Sequence, residues 1–370
     1  MRVPFCDLGA AHAWRGDATE RALIRVARSG RYVLGPEVEA FESEWAEICR
    51  AAHAVGVGSG TEALALILRA AGIGPGDEVV VPAYTAPATW MAVAWVGARP
   101  VGADVDAHTG LLDPVAAAAA CGERTKALVA VHLFGRLAPM CALREVAERH
   151  GVLLLEDAAH AHGSDEGGGP AGSLGHAAAF SFYPTKTMGA LGDAGAVVTD
   201  DAALAEAVRR MRSYGWSSWH GDAPAPGGNT RLDELQAAVL REQAAGLADT
   251  RRRLSDFGRR MRRGLAGLDG LGLPQLPEGG SEPAWHQFVV THERRQALRD
   301  ELARRGIGTA LHYDPLPPRL SAFGAAGEFP RAEGLAARVV SLPFDPWLSD
   351  AQIDDVCSAV AGAIGSSVRS

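Results

Sequence analysis

SFYPTKTMGALGDAG, residues 181–195, places one lysine, Lys186, between an apolar run (AAAFSF, Ala177 to Phe182) and a turn punctuated by Gly189 and Gly192. A second short run, Ala194 to Thr199, follows the turn, and both runs predict strands. A lysine at the end of a buried strand is held rigidly and partly desolvated, the setting in which an amine becomes a nucleophile toward a carbonyl. The plainer reading is a surface lysine in a turn. The surrounding chain decides between the two.

Upstream, apolar strands alternate with helices: ARPVGADVD, a helix from Pro114 to Ala120, KALVAVHLFG, a helix from Cys141 to His150, then GVLLLEDAAHAHG. Such alternation predicts a parallel sheet covered on both faces, with ligands bound at the carboxyl ends of the strands. Asp157 stands at such an end, where the plain alternative is a helix cap. Further back, HAVGVGSGTEALALILRAAG reads as a strand, a Gly-Ser turn and a helix running to about Ala71. Unpaired amides of Gly60 and Thr61 at that helix start suit a phosphate. The rival is half of a dinucleotide fingerprint. The next strand, DEVVVPAYTAPATW, ends without an acidic residue to hold a ribose, and a monophosphate is preferred.

SFYPTK with GALGDAG, EDAAHAHG and GGNTRLDELQAAVL together resemble the DegT/DnrJ/EryC1/StrS group of sugar aminotransferases, enzymes that use pyridoxal 5'-phosphate (PLP), and the resemblance runs along nearly the whole chain. It implies a fold-type I α/β enzyme, aspartate aminotransferase-like. A large domain (1–248) with a mostly parallel sheet between helices would be joined to a smaller C-terminal α+β domain (249–370). Lys186 would be the cofactor lysine and proton carrier, Asp157 the partner of the pyridine nitrogen, and His160 a hydrogen-bond partner of the phenolic oxygen. Ser181, Gly60 and Thr61 complete the cofactor set. Asn229 would reach the phosphate of the neighbouring subunit in a homodimer. Tyr32, Arg231, His312 and Tyr313 are candidate substrate contacts. The group usually has an aromatic residue after the threonine equivalent to Thr85, to stack on the cofactor ring. Here Ala86 stands there, and Trp90, one helical turn on, is the candidate to replace it, against plain helix packing. His162 is expected to be a core histidine.

The implied reaction moves an amino group from glutamate or glutamine to a keto group on a dTDP- or UDP-linked deoxysugar. Alternatives are a cyclitol ketone as acceptor, or a PLP-binding partner or regulator without turnover. Intact Lys186, Asp157 and Ser181 oppose the latter, and Lys186 also opposes a dehydratase variant in which histidine replaces the lysine. The 370 residues carry 36 basic and 44 acidic side chains, a net charge of −8, and are 47% apolar. That balance, without a basic run, gives no reason to expect nucleic acid. The start lacks a signal-peptide layout and no run approaches a membrane span, so a cytoplasmic protein is expected. Five scattered cysteines indicate neither a disulfide frame nor zinc. Helices are further expected at Ala18 to Ser29, Glu37 to Cys49, Ala202 to Met211, after a cap at Asn229 or Thr230, and at Thr250 to Leu265, Arg294 to Arg305 and Asp350 to Ile364. Strands are expected in AWHQFVVT and GTALHYDP.

Overall fold

Seven strands build the main sheet: β1 (His53–Val57), β2 (Glu78–Pro82), β3 (Arg99–Ala103), β4 (Thr125–Val131), β5 (Leu153–Asp157), β6 (Ala177–Ser181) and β7 (Gly195–Thr199). They lie in the order β1-β7-β6-β5-β4-β2-β3. β7 runs antiparallel to both its neighbours, and the pairings among β2 to β6 are parallel. The computed structural model describes residues 2–218, 221–277, 283–324 and 327–367.

The strands read as continuous apolar runs because each face has its own cover. On β6, Ala178 and Phe180 join one core with Phe41, Trp45 and Phe182, whereas Ala177 and Ala179 join another with Leu64, Leu68 and Tyr84. Helix Gly60–Ala70 lies against β6 and β7 on the second side, and helix Pro36–Ile48 lies against β1. Two glycines permit this closeness. A Cβ on Gly195 would stand 2.4 Å from the Ser59 carbonyl, and one on Gly60 2.6 Å from Ser181 Cβ.

Helices begin where side chains satisfy the first free amides. Asp113 accepts from Val115 N–H ahead of Pro114–Ala120, and Asp201 from Ala203 and Leu204 ahead of Ala202–Met211, so both expected spans agree with the structure. Helix Leu8–Arg15, capped by Asp7, was not expected. The helix after the Pro/Gly loop starts at Glu234 and is capped by Asp233, which accepts from Gln236 N–H at 2.8 Å. The expected caps Asn229 and Thr230 lie outside it, Asn229 bridging to Ser213.

In the C-terminal portion, β8 (Phe288–Thr291) pairs antiparallel with β9 (Val339–Leu342). GTALHYDP is not a strand. Ala310 alone makes a bridge, to Ser341, and the chain then turns. Helices Leu247–Leu265 and Asp350–Ser367 lie against each other and share one core with the pair, with Arg260 bound to Asp350 and Asp354 on their exposed side. Portions far apart in sequence interleave. Val3 is buried among Phe288, Val290 and Ile307, whereas Phe329, Ala332 and Leu335 belong to the core beneath the main sheet.

Candidate active site

Strand ends, one helix start and one turn converge on a single pocket. It is lined by Gly60 and Thr61 from the helix start, Asp157 from the end of β5, His160 just beyond it, Ser181 from the end of β6, and Lys186 from the turn between β6 and β7. Six residues expected from sequence are thus brought together. A roomier cleft between Tyr84, Phe134, Gln287 and Arg338 contains none of them, so side-chain chemistry rather than size identifies the site.

Asp157 is held by the hydroxyl of Thr89, which donates to Oδ2 at 2.7 Å, and by Ala159 N–H, which donates to Oδ1 at 3.2 Å. Thr85 backs this up, its hydroxyl 2.9 Å from that of Thr89, and both threonines are fully buried. Such bonding fixes the orientation of the carboxylate. Thr89 was not singled out from sequence.

Lys186 Nζ is buried, and that desolvation lowers its pKa to about 8, with Asp157 partly opposing the shift. About one amine in ten is then neutral at pH 7, against about one in several thousand for an ordinary lysine. Four histidines surround it, of which His160, His162 and His286 are buried and His312 is half-buried. Burial first and the Lys186 charge second push His160 and His286 far below the usual range, His162 to about 3 and His312 to about 4. All four are neutral at physiological pH. His160 Nδ1 accepts from Phe134 N–H at 3.4 Å, while Nε2 lies 3.4 Å from the Tyr313 hydroxyl. His286 is a second site residue that sequence reading passed over. It sits inside the noted WHQFVV stretch, its ring 4.4 Å from that of His160.

Other expectations fall differently. Trp90 does not line the pocket: it is buried in the core, donates its indole N–H to Pro82 O at 2.9 Å and meets Phe323 edge-on. Ala86 does line it, but as the extended residue before helix Pro87–Trp95, so helical spacing does not place Ala86 and Trp90 on one face. Tyr313 reaches the site through His160. His312 stands behind, with Nδ1 2.8 Å from Ser341 Oγ and its carbonyl accepting from the Tyr84 hydroxyl. Tyr32 and Asn229 are exposed and Arg231 lies over the Tyr214 ring, all three outside their own chain's pocket. His162 is a core histidine that is half satisfied. Nε2 donates to Ser181 O at 2.9 Å, and Nδ1 has no partner.

The donor set fits PLP. A buried amine, a fixed carboxylate and glycine-lined helix amides face one cavity, and the close approach at Gly60 leaves no room there for a side chain.

Comparison with known proteins agrees. The profile of the DegT/DnrJ/EryC1/StrS aminotransferase family matches residues 15–361. The dTDP-3-amino-3,4,6-trideoxy-alpha-D-glucose transaminase of Streptomyces venezuelae is 48% identical over 364 residues, covering 97% of this chain and 95% of the relative. The crystal structure of S. venezuelae DesV in complex with a ketimine intermediate superposes with a TM-score of 0.94 at 46% identity, covering 98% of each chain. Bacillus subtilis NtdA with bound cofactor PMP superposes with a TM-score of 0.92 at 27% identity, over 98% of this chain and 85% of that one. A pocket built around a buried lysine and a strand-end aspartate, on a fold matched along its whole length, places this chain in the DegT/DnrJ/EryC1/StrS aminotransferase family of PLP-dependent enzymes.

Proposed function

We propose that the protein transfers an amino group from glutamate or glutamine to the keto carbon of a dTDP- or UDP-linked deoxysugar, in the cytoplasm, as a homodimer with shared active sites. The observation that carries this reading is the shared pocket of Lys186, Asp157 and the Gly60/Thr61 amides. The likeness to a dTDP-3-amino sugar transaminase puts a dTDP-linked 3-keto-deoxysugar first among acceptors. Among the described residues, no helix is long and apolar enough to cross a membrane. We also divide the chain into a larger N-terminal domain and a smaller C-terminal one at about residues 248/249, early in helix Leu247–Leu265.

When bound, PLP supplies a carbon that takes up the amino nitrogen and a ring that withdraws electrons from it. Asp157, fixed by Thr89, holds the proton on the pyridine nitrogen. The amides of Gly60 and Thr61, with Ser181, bind the phosphate. Lys186 Nζ, with its pKa near 8, takes the proton from the donor's α-carbon and later returns one. His160, neutral and aligned by Phe134 N–H, offers its ring to the phenolic oxygen. Asn229 and Arg231, outside their own chain's pocket, serve the neighbouring subunit's phosphate and substrate, and Tyr32 is a further substrate contact. On the C-terminal side, Tyr313 contacts substrate from beside His160, with His312 behind it.

The test is incubation with PLP, glutamate or glutamine, and a panel of dTDP- and UDP-linked keto-deoxysugars and cyclitol ketones, with products weighed by mass spectrometry. Nitrogen gained by a nucleotide-linked sugar is expected. Amination of a cyclitol ketone alone would overturn the acceptor, and no amination of any ketone would overturn the transfer.

A further inference from the structure

His286 precedes β8 in the C-terminal portion, yet its side chain lies among the catalytic groups. It is 7% exposed, and its Nδ1 lies 3.3 Å from the hydroxyl of Thr187, the residue after Lys186. Its ring faces His160 at 4.4 Å with the planes 38° apart. The backbone is pinned to the same place. His286 N–H donates to Phe134 O at 2.9 Å, and Phe134 N–H donates in turn to His160 Nδ1. The fit there is tight, since a Cβ on Gly135 would meet Trp285 N at 2.7 Å. The far side of the lysine turn is anchored separately. Gln243 accepts from Gly189 N–H and Gln236 from Leu191 N–H, at 3.1 and 2.8 Å. His286 anchors the near side, beside the lysine itself.

We propose that His286 is a positioning residue for Lys186: through Thr187 it fixes the turn that carries the amine, and through its ring it holds His160 in register with that turn. The proposal rests on Lys186 being the cofactor lysine. Burial and the Asp157 carboxylate set the amine's charge, and the four histidines around it, His160, His162, His286 and His312, are neutral. A turn freed on the His286 side admits water, which relieves the desolvation that keeps the amine reactive.

Two variants separate the bond from the packing. His286→Asn keeps an acceptor near the Nδ1 position and removes the ring, while His286→Phe keeps ring volume and removes Nδ1. Thr187→Val deletes the other half of the bond. In cofactor-free protein, His286→Phe and Thr187→Val are expected to speed hydrogen exchange over residues 183–190 by about tenfold, with His286→Asn within about twofold of wild type. The pH midpoint for Lys186 modification by trinitrobenzenesulfonate, mapped by peptide, should rise from about 8 toward the ordinary 10.5 in the first two variants. Exchange and midpoint unchanged in both His286→Phe and Thr187→Val would overturn the proposal. So would equal loss in His286→Asn and His286→Phe accompanied by equal loss of melting temperature, which would reduce His286 to packing. Borohydride fixation of PLP in wild type decides the underlying reading independently: a label away from Lys186 removes both that reading and this inference.

Discussion

Thr89 donates its hydroxyl to Asp157 Oδ2 across 2.7 Å, from a helix that belongs to a different strand crossover than the carboxylate it holds. The carboxylate is therefore aimed by a neighbour rather than by its own strand. Hydrogen bonds to charged groups contribute about 1.5–3 kcal/mol. Thr89→Val should slow turnover about ten- to hundredfold while the protein melts near the wild-type temperature, and Thr89→Ser should recover most of the rate. Asp157→Asn, which keeps the shape and loses the charge, should still bind PLP but slow transfer by orders of magnitude. Equal turnover in Thr89→Val would show that the strand alone aims the carboxylate.

The amine should titrate where burial has put it. Because the folded-state pKa is lowered to about 8, Lys186 loses its proton at lower pH than an ordinary lysine. The rate at which cofactor-free protein captures PLP should rise about tenfold per pH unit up to about 8 and level off above it. A rise continuing toward 10.5 in stopped-flow absorbance would mean that the amine is hydrated in the free protein.

Glu234 gathers three main-chain donors, Gly35, Glu37 and Val38 N–H, at 2.9, 3.0 and 2.8 Å, and is 1% exposed. It thereby caps helix Pro36–Ile48 from a distant segment. Glu234→Ala strands those donors in the interior, and a loss of about 2–4 kcal/mol in denaturant unfolding is expected, with Glu234→Gln in between. A loss under about 0.5 kcal/mol would show that water takes over the cap.

The proposed sharing of sites predicts complementation. Lys186→Ala removes the amine, and Asn229→Asp sets a carboxylate against phosphate. If Asn229 serves the partner, one site of a mixed dimer joins an intact Lys186 to an intact Asn229. Refolding the two mutants together should restore about a quarter of wild-type activity if half the dimers are mixed. No recovery in samples shown by mass to contain mixed dimers would assign Asn229 to its own chain.

Where the sequence could be read, a local cause sat beside its effect. Pro114–Ala120 and Ala202–Met211 carry their caps at the preceding residue, and Lys186, Asp157 and Gly60 lie at junctions that the alternation of strands and helices already marks. Spacing misled where the helix had not yet begun. Ala86 is extended, so counting one turn to Trp90 pointed the indole at the pocket instead of at Pro82. His286 was passed over, and the place of Tyr313 against His160 was hidden, for another reason. Their places beside His160 depend on how a distant part of the chain docks, which no local pattern records.

The interleaving of the two cores bears on how such an enzyme can change over time. Val3 completes the packing around β8, and Phe329, Ala332 and Leu335 complete the packing under the main sheet, so neither side is finished by its own stretch of chain. Severing the chain at one peptide bond leaves two fragments that each lack a plug the other holds. Transplanting the C-terminal half from a relative would import new plugs along with any new substrate contacts. New specificities on this scaffold are thus more accessible by point substitution around a retained framework than by recombination of halves.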